Sequence, residues 1–214
     1  MNTKVKKMAH QKSKEEVVQE FRIQSLQDAT LRVIARKGMA AATMQDIAEE
    51  AGVAKGTIYL YFRDRDELVE KTFERAITQL MERIDADLGG DMPFEQKLRA
   101  INAAHLAFFR ENREFFRLYL SLRMPEGTPE RQRRQKQTCG HQYEARVQAF
   151  ADLLAKAMER GEIREMDPYR LALFIIEGSA ALILQRITET THPPEEADVD
   201  LITSLILDGV RRRN

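Results

Sequence analysis

The chain has 214 residues, with 34 Lys+Arg against 34 Asp+Glu and a formal net charge of zero. Its 43% hydrophobic and 32% charged content excludes disorder throughout, and a single cysteine, Cys139, excludes a disulfide framework. No uninterrupted apolar run reaches the roughly 18 residues that span a bilayer, and the basic N-terminus, MNTKVKKMAHQKSK, lacks the apolar stretch of a secretory signal, so a soluble cytoplasmic protein with no membrane partner is expected.

Helical periodicity runs through nearly the whole chain with no alternating strand pattern beside it, which predicts an all-α fold. The first helix is expected over about 14–37, with Val17, Phe21, Leu26, Ala29, Val33 and Ile34 facing inward and Gly38 in a left-handed terminal position. Thr43 caps a short helix over 44–51, Gly52 ends it, and a second short helix follows over about 54–61. Asp64 caps a longer helix to about Leu88, with Val69, Phe73, Ile77, Leu80 and Ile84 on one face, and Gly89-Gly90 breaks it. A helix over 93–112 carries Phe94, Leu98, Ile101, His105 and Phe108 on one stripe, and a short aromatic-rich helix follows over 113–124. Thr128-Pro129 opens a helix running to Arg160 before Gly161, with Gly140 as a point of bending or splitting. Asp167-Pro168 opens another to about Glu189, and Pro193-Pro194 starts the last, which ends near Arg212.

The last two helices carry apolar residues on two sides. From Leu171 to Leu184 the only charge is Glu177, and Leu171, Phe174, Gly178 and Leu182 form one stripe while Leu173, Ile176, Ala180, Ile183 and Ile187 form another. The final helix sets Val199, Ile202 and Ile206 against Leu201 and Leu205. A helix apolar on both sides must be covered on both sides. A second copy supplying the same two helices, about 168–189 and 194–212, does so with twofold symmetry; the alternative is that both are central helices of a monomer.

Residues 43–62, TMQDIAEEAGVAKGTIYLYF, have the spacing of a helix-turn-helix. Ala48 lets two helices approach, Gly52 takes the turn, and Ile58 locks the second helix down. Ile47, Ala51, Val53 and Tyr61 complete the buried side. The opposite side, Lys55, Gly56, Thr57 and Tyr59, offers donors and a slim profile with no acid, which suits a major groove.

The longer stretch TMQDIAEEAGVAKGTIYLYFRDRDEL resembles the DNA-binding signature of the tetracycline-repressor-like (TetR) family of bacterial regulators, and the resemblance covers about 45 residues through Leu68, including Ala35 and Gly38. It implies an N-terminal helix-turn-helix domain and a larger helical body that holds an inducer and pairs subunits through its last two helices. By the same resemblance Thr43, Tyr59 and Tyr61 occupy phosphate-bonding positions, Thr57 a backbone- or methyl-contacting one, and Gln45 and Lys55 base-reading ones. Gly56 lets the helix lie close to DNA. Arg65 stands where Lys is usual and keeps the charge; Ala54 stands where Ser is common, so a helix cap worth about 1 kcal/mol is lost. Two readings stand for Tyr61, core residue or phosphate contact.

Charge by segment agrees with a nucleic-acid partner. Residues 1–65 hold 12 Lys+Arg and 8 Asp+Glu, a balance of +4, and the remainder carries −4. The expected division is a flexible basic arm over 1–13, a helix-turn-helix domain over 14–65 and a ligand-binding, dimerising body over 66–214. The arm either follows the DNA or is a solvated tail.

His10, His105, His141 and His192 are scattered, with no catalytic constellation, phosphate loop or metal cluster beside them, so no enzyme activity, cofactor or metal is expected. Cys139 falls with Tyr143, Val147, Phe150 and Leu154, the pattern of a buried core thiol. His105, Phe108, Phe109, Tyr119, Tyr143 and Glu177 suggest an apolar cavity with a few polar groups, against the alternative that they are core and that Glu177 pairs with an arginine across a dimer. The composite expectation is a ligand-responsive repressor, binding a palindromic operator as a homodimer and released by a small, largely apolar effector. The alternatives are a helical small-molecule-binding protein or enzyme with a vestigial helix-turn-helix, and a helix-turn-helix that docks protein.

Overall fold

The computed structural model describes residues 13–87, 92–123, 128–189 and 191–210, without the side chains of 131, 132 and 134–139. Among the described residues every regular element is a helix: α1 (Lys14–Lys37), α2 (Met44–Ala51), α3 (Lys55–Ile58), α4 (Arg65–Asp87), α5 (Phe94–Glu111), α6 (Arg113–Arg123), α7 (Pro129–Glu159), α8 (Pro168–Thr188) and α9 (Glu195–Val210). The all-α expectation holds. The basic arm, the Gly89-Gly90 break and the Cys139 side chain fall outside the described residues.

Ser13, the last residue of the expected arm, caps α1 instead. Its hydroxyl accepts from Glu16 N at 3.2 Å, and its own N–H donates to the Glu16 carboxylate at 2.7 Å. Helices α2, α4 and α6 pack on α1 and bury Leu26, Ala29, Val33 and Ile34, all in its later turns. The first turns run past these neighbours, so Val17 and Phe21, expected to face inward, are exposed, Phe21 at 71%. Gly38 takes φ 79° with ψ 158°, a conformation open to glycine but outside the expected left-handed helical region.

Asp64 caps α4 by accepting from Glu67 N at 2.9 Å. The stripe Val69, Phe73, Ile77, Leu80 and Ile84 is buried along the helix. The helix packs on α1, α5, α6 and α7. α7 continues unbroken through Gly140. Asp167 caps α8, accepting from Arg170 N at 3.0 Å with Pro168 in the first turn.

α8 has a mean hydropathy of 1.6 and is long and apolar enough to cross a membrane by composition. Its neighbours account for half of that character. Against α5, α7 and α9 it buries Ala172, Ile175, Ile176, Ser179, Ala180 and Ile183. The other side is open, with Phe174 exposed at 72%. α9 divides the same way, burying Val199, Ile202 and Ile206 while leaving Leu201 exposed and Leu205 at 66%. Arg186 of α8 pairs with Asp198 of α9, and Asn102 of α5 donates to Thr203 at 3.2 Å.

Phe73 joins the two halves of this core, its ring 5.4 Å from that of Phe115 on α6. Phe73→Ala removes a fully buried ring, and urea unfolding should show a stability loss of about 3–5 kcal/mol.

Candidate functional site

At the start of α2, Thr43 and Asp46 satisfy one another. The Thr43 hydroxyl oxygen accepts from Asp46 N at 3.1 Å, while the Thr43 N–H and hydroxyl donate to the Asp46 carboxylate at 3.0 and 2.8 Å. Lys37 donates to the other carboxylate oxygen at 2.5 Å. The bonds from Lys37 and then Thr43 hold the Asp46 carboxyl well down, at about 2. Glu50 fixes the other end of α2, accepting from Arg32 and Arg36 of α1 at 2.8 Å each. Those hydrogen bonds, Arg32 first, lower its pKa.

Gly52 makes the turn with φ 67°, a left-handed conformation that an L side chain resists. Val53 N then donates to Ala48 O at 3.0 Å. Ala48 and Ile47 are buried and Ile58 fully so, as the helix-turn-helix spacing requires. Val53, in the turn between Gly52 and the start of α3, is exposed, contrary to expectation; Ala51 and Tyr61 are half-buried. α3 is also shorter than expected. Beyond Ile58 the bonds tighten, Leu60 N to Thr57 O at 3.3 Å and Tyr61 N to Ile58 O at 2.9 Å, so the coil persists to Tyr61 as turns. Ala54 precedes α3 without a side-chain cap.

Lys55, Gly56 and Tyr59 are exposed and Thr57 is half-buried, on one edge of the α3 coil. A Cβ built on Gly56 meets nothing within 4 Å, so this chain's own packing does not demand glycine there. Gln45 is exposed on α2 and donates to Glu49 at 2.8 Å. Arg65 donates through Nη2 to Met39 O at 2.6 Å and fastens α4 to the end of α1. Leu60, exposed beside Tyr59, was not singled out in the sequence; an apolar residue directly after the recognition edge was the available signal.

The six body residues grouped in the sequence do not share one pocket. Phe108 and Phe109 are core: they lie in a ring cluster with Phe115, Phe116 and Tyr119 at centroid distances of 5.1–5.9 Å. Tyr119, Tyr143 and Glu177 form a separate polar cluster. Both phenols donate to the same Glu177 oxygen, Tyr119 at 3.3 Å, and Arg123 approaches it at 3.1 Å while lying 4.4 Å from the Tyr143 ring centre. Glu177 therefore pairs with an arginine of its own chain. Burial pushes the Tyr119 hydroxyl to about 12 and raises that of Tyr143.

His105 alone of the six lines the apolar cavity of about 140 Å³ between α4, α5, α7 and α8, with Met81, Ile84, Ile101, Phe150 and Ile176 among its walls. Its Nε2 lies 2.6 Å from Nη2 of Arg146, which also lines the cavity. Burial, then the neighbouring Arg146 charge, pulls His105 well below its ordinary pKa. Arg146 was missed, although a charge between Tyr143 and Val147 on an apolar stripe is the same signal that marked Glu177. Among the described residues no group of three His, Cys, Asp or Glu is placed to hold a metal.

The sequence profile of bacterial regulatory proteins, tetR family, matches residues 26–72. The chain is 31% identical over 172 residues to the HTH-type transcriptional regulator BetI of Escherichia coli, spanning 67% of this chain and 88% of that protein. It is 25% identical over 181 residues to the fatty acid metabolism regulator protein of Bacillus subtilis, spanning 85% and 89%. Among solved structures, FadR from Bacillus subtilis in complex with stearoyl-CoA superimposes with a TM-score of 0.73 at 21% identity, covering 88% of this chain and 99% of that one. The fatty acid degradation regulator FadR from Bacillus halodurans gives 0.74 at 22%, covering 90% and 97%. These two structural likenesses are of fold.

The Asp46 box has a pH signature. A carboxyl lowered from 3.8 to about 2 stabilises the folded state above pH 3.8, and that contribution is lost as pH falls through about 2. Asp46→Asn should therefore lower the urea midpoint at neutral pH and flatten its decline between neutral and acid pH relative to the parent.

Proposed function

Because the chain belongs to the TetR family of bacterial regulatory proteins and is a transcriptional regulator, we propose that it is a homodimeric repressor of a palindromic operator, released by a small, largely apolar effector. The observation that carries this reading is α4. Its first turns hold the helix-turn-helix through Leu68, Val69 and the Arg65 bond to Met39 O, while Met81 and Ile84 on its last turns line the cavity. A body seated in that cavity displaces the same rigid helix that carries the reading unit. DNA affinity then falls in proportion to the effector's preference for the displaced state, a coupling of typically about 1–3 kcal/mol.

On the DNA, α3 enters the major groove. Lys55 and Gln45 read base edges, Gln45 by exchanging its Glu49 partner, and Thr43, Thr57, Tyr59 and Tyr61 bond phosphates. Gly56 supports a close outside approach, since nothing inside the protein needs it. Arg65 adds charge at the start of α4 from its anchor on Met39. Two copies paired through Phe174, Leu184, Leu201 and Leu205, all exposed on the outer faces of α8 and α9, present two α3 edges to successive grooves about 34–36 Å apart, or a multiple. The relatives named for fatty acid metabolism, and the neighbour bound to stearoyl-CoA, support an effector with an acyl body. The cavity of about 140 Å³ accommodates a body roughly the size of benzene, far less than a stearoyl chain.

Selection of bound genomic fragments yields the operator, and mobility shifts with and without effector test release. Equal operator affinity in both states refutes the mechanism. Lys55→Ala should cost about 1–3 kcal/mol on operator and far less on random DNA; equal losses reassign it to phosphate. Phe174→Glu with Leu205→Glu should sediment as a monomer and lose operator binding. Removing residues 1–12, which leaves the Ser13 cap in place, should weaken binding and shallow its salt dependence if the basic arm follows the backbone; unchanged values make it a solvated tail.

A further inference from the structure

Arg146 is a buried charge with one guanidinium nitrogen left without a partner among the described residues. It is 6% exposed, on the inner side of α7 between Tyr143 and Val147. Its Nη2 donates to His105 Nε2 at 2.6 Å. A guanidinium cannot accept, so His105 is the acceptor and carries its proton on Nδ1, the neutral form that burial also favours. His105 therefore brings no counter-charge. Nη1 is buried and has no hydrogen-bond partner among the described residues. The acidic side chain whose attraction reaches Arg146 is Glu177, and that carboxylate is already engaged by Tyr119, Tyr143 and Arg123. An ion left in this state is costly unless something of opposite charge meets it.

The same side chain lines the cavity between α4, α5, α7 and α8. The other polar groups of that lining are not calling for a ligand. Asn102 donates to Thr203 at 3.2 Å, Ser179 donates to Ile175 O at 2.8 Å, and Asp85 is exposed at the rim. Apolar walls with one cationic side chain that lacks a counter-charge define a narrow class of occupant.

We propose that this cavity takes a monocarboxylate with a short apolar body, its carboxylate accepting from the Arg146 guanidinium and its carbons lying against Ile84, Ile101 and Ile176. The assignment rests on the effector reading above and narrows it to acids. One negative charge balances one guanidinium. A phosphate, with a charge of about −1.5 to −2 at neutral pH, would leave the excess against hydrocarbon. An alcohol or a thioester brings no charge and leaves Arg146 unpaired.

Titration calorimetry on the full-length protein at neutral pH with hexanoate, hexan-1-ol and hexylammonium decides the matter. Hexanoate should bind at least about tenfold more tightly than hexan-1-ol, the strength of a charge-assisted hydrogen bond, and hexylammonium should not bind. Arg146→Gln should remove that preference, weakening hexanoate about tenfold while leaving hexan-1-ol unchanged, and Arg146→Lys should retain part of it. Should Arg146→Gln fail to fold by circular dichroism, the ranking of the three ligands on the parent protein still decides. Equal binding of hexanoate and hexan-1-ol overturns the carboxylate assignment and leaves an apolar effector cavity standing. Binding of none of the three overturns the assignment. Hexanoate binding that leaves operator affinity unchanged upholds the site and removes the effector reading instead.

Discussion

Helix α4 must be buried twice. Leu68, Val69, Thr72 and Phe73 close the core shared with α1, and Leu80 and Ile84 close the core shared with α5 and α7. A helix packed along its length behaves as a rigid rod, because close-packed interiors do not absorb small shifts. The helix-turn-helix and the body are therefore two ends of one core rather than two beads on a linker.

Side-chain cations reinforce that continuity where the backbone of α1 runs out of partners. Arg117 of α6 donates to Ala35 O at 2.6 Å and Arg65 of α4 to Met39 O at 2.6 Å. Carbonyls in and after the last turn lack intrahelical donors and sit at the negative end of the helix dipole. In the opposite direction, the neutral Gln27 of α1 donates to Lys71 O of α4 at 3.0 Å. The orientation of the reading unit is thus held by bonds from α6 and α4 to the end of α1 and from α1 to the shaft of α4.

Two charged groups of the body, half-buried Glu177 and buried Arg146, are treated in opposite ways. Glu177 is surrounded by donors, two phenols and Arg123. Arg146 has only a neutral imidazole on one side. A satisfied cluster fixes the relation of α6, α7 and α8, whereas an unsatisfied ion marks a place where the protein's own atoms are not the final partners.

The elements and most of their caps were legible in the sequence because they depend on neighbours three or four residues away. Thr43, Asp64 and Asp167 cap where local pattern puts them, and the tight spacing of Ala48, Gly52 and Ile58 describes a helix pair whose contacts lie within one short segment. The two-sided apolar pattern of α8 and α9 was legible for the same reason, and the structure divides it as the periodicity implied. What the sequence could not determine was long-range. Val17 and Phe21 continue an apolar stripe, yet no helix among the described residues covers them. His105, Tyr119, Tyr143 and Glu177 looked like one pocket, but packing of α5, α6, α7 and α8 placed three of them in a self-satisfied cluster and gave His105 to Arg146. Pairing a buried charge requires knowing which helix faces it. Periodicity fixes which side of a helix is apolar, and only tertiary packing decides what that side meets.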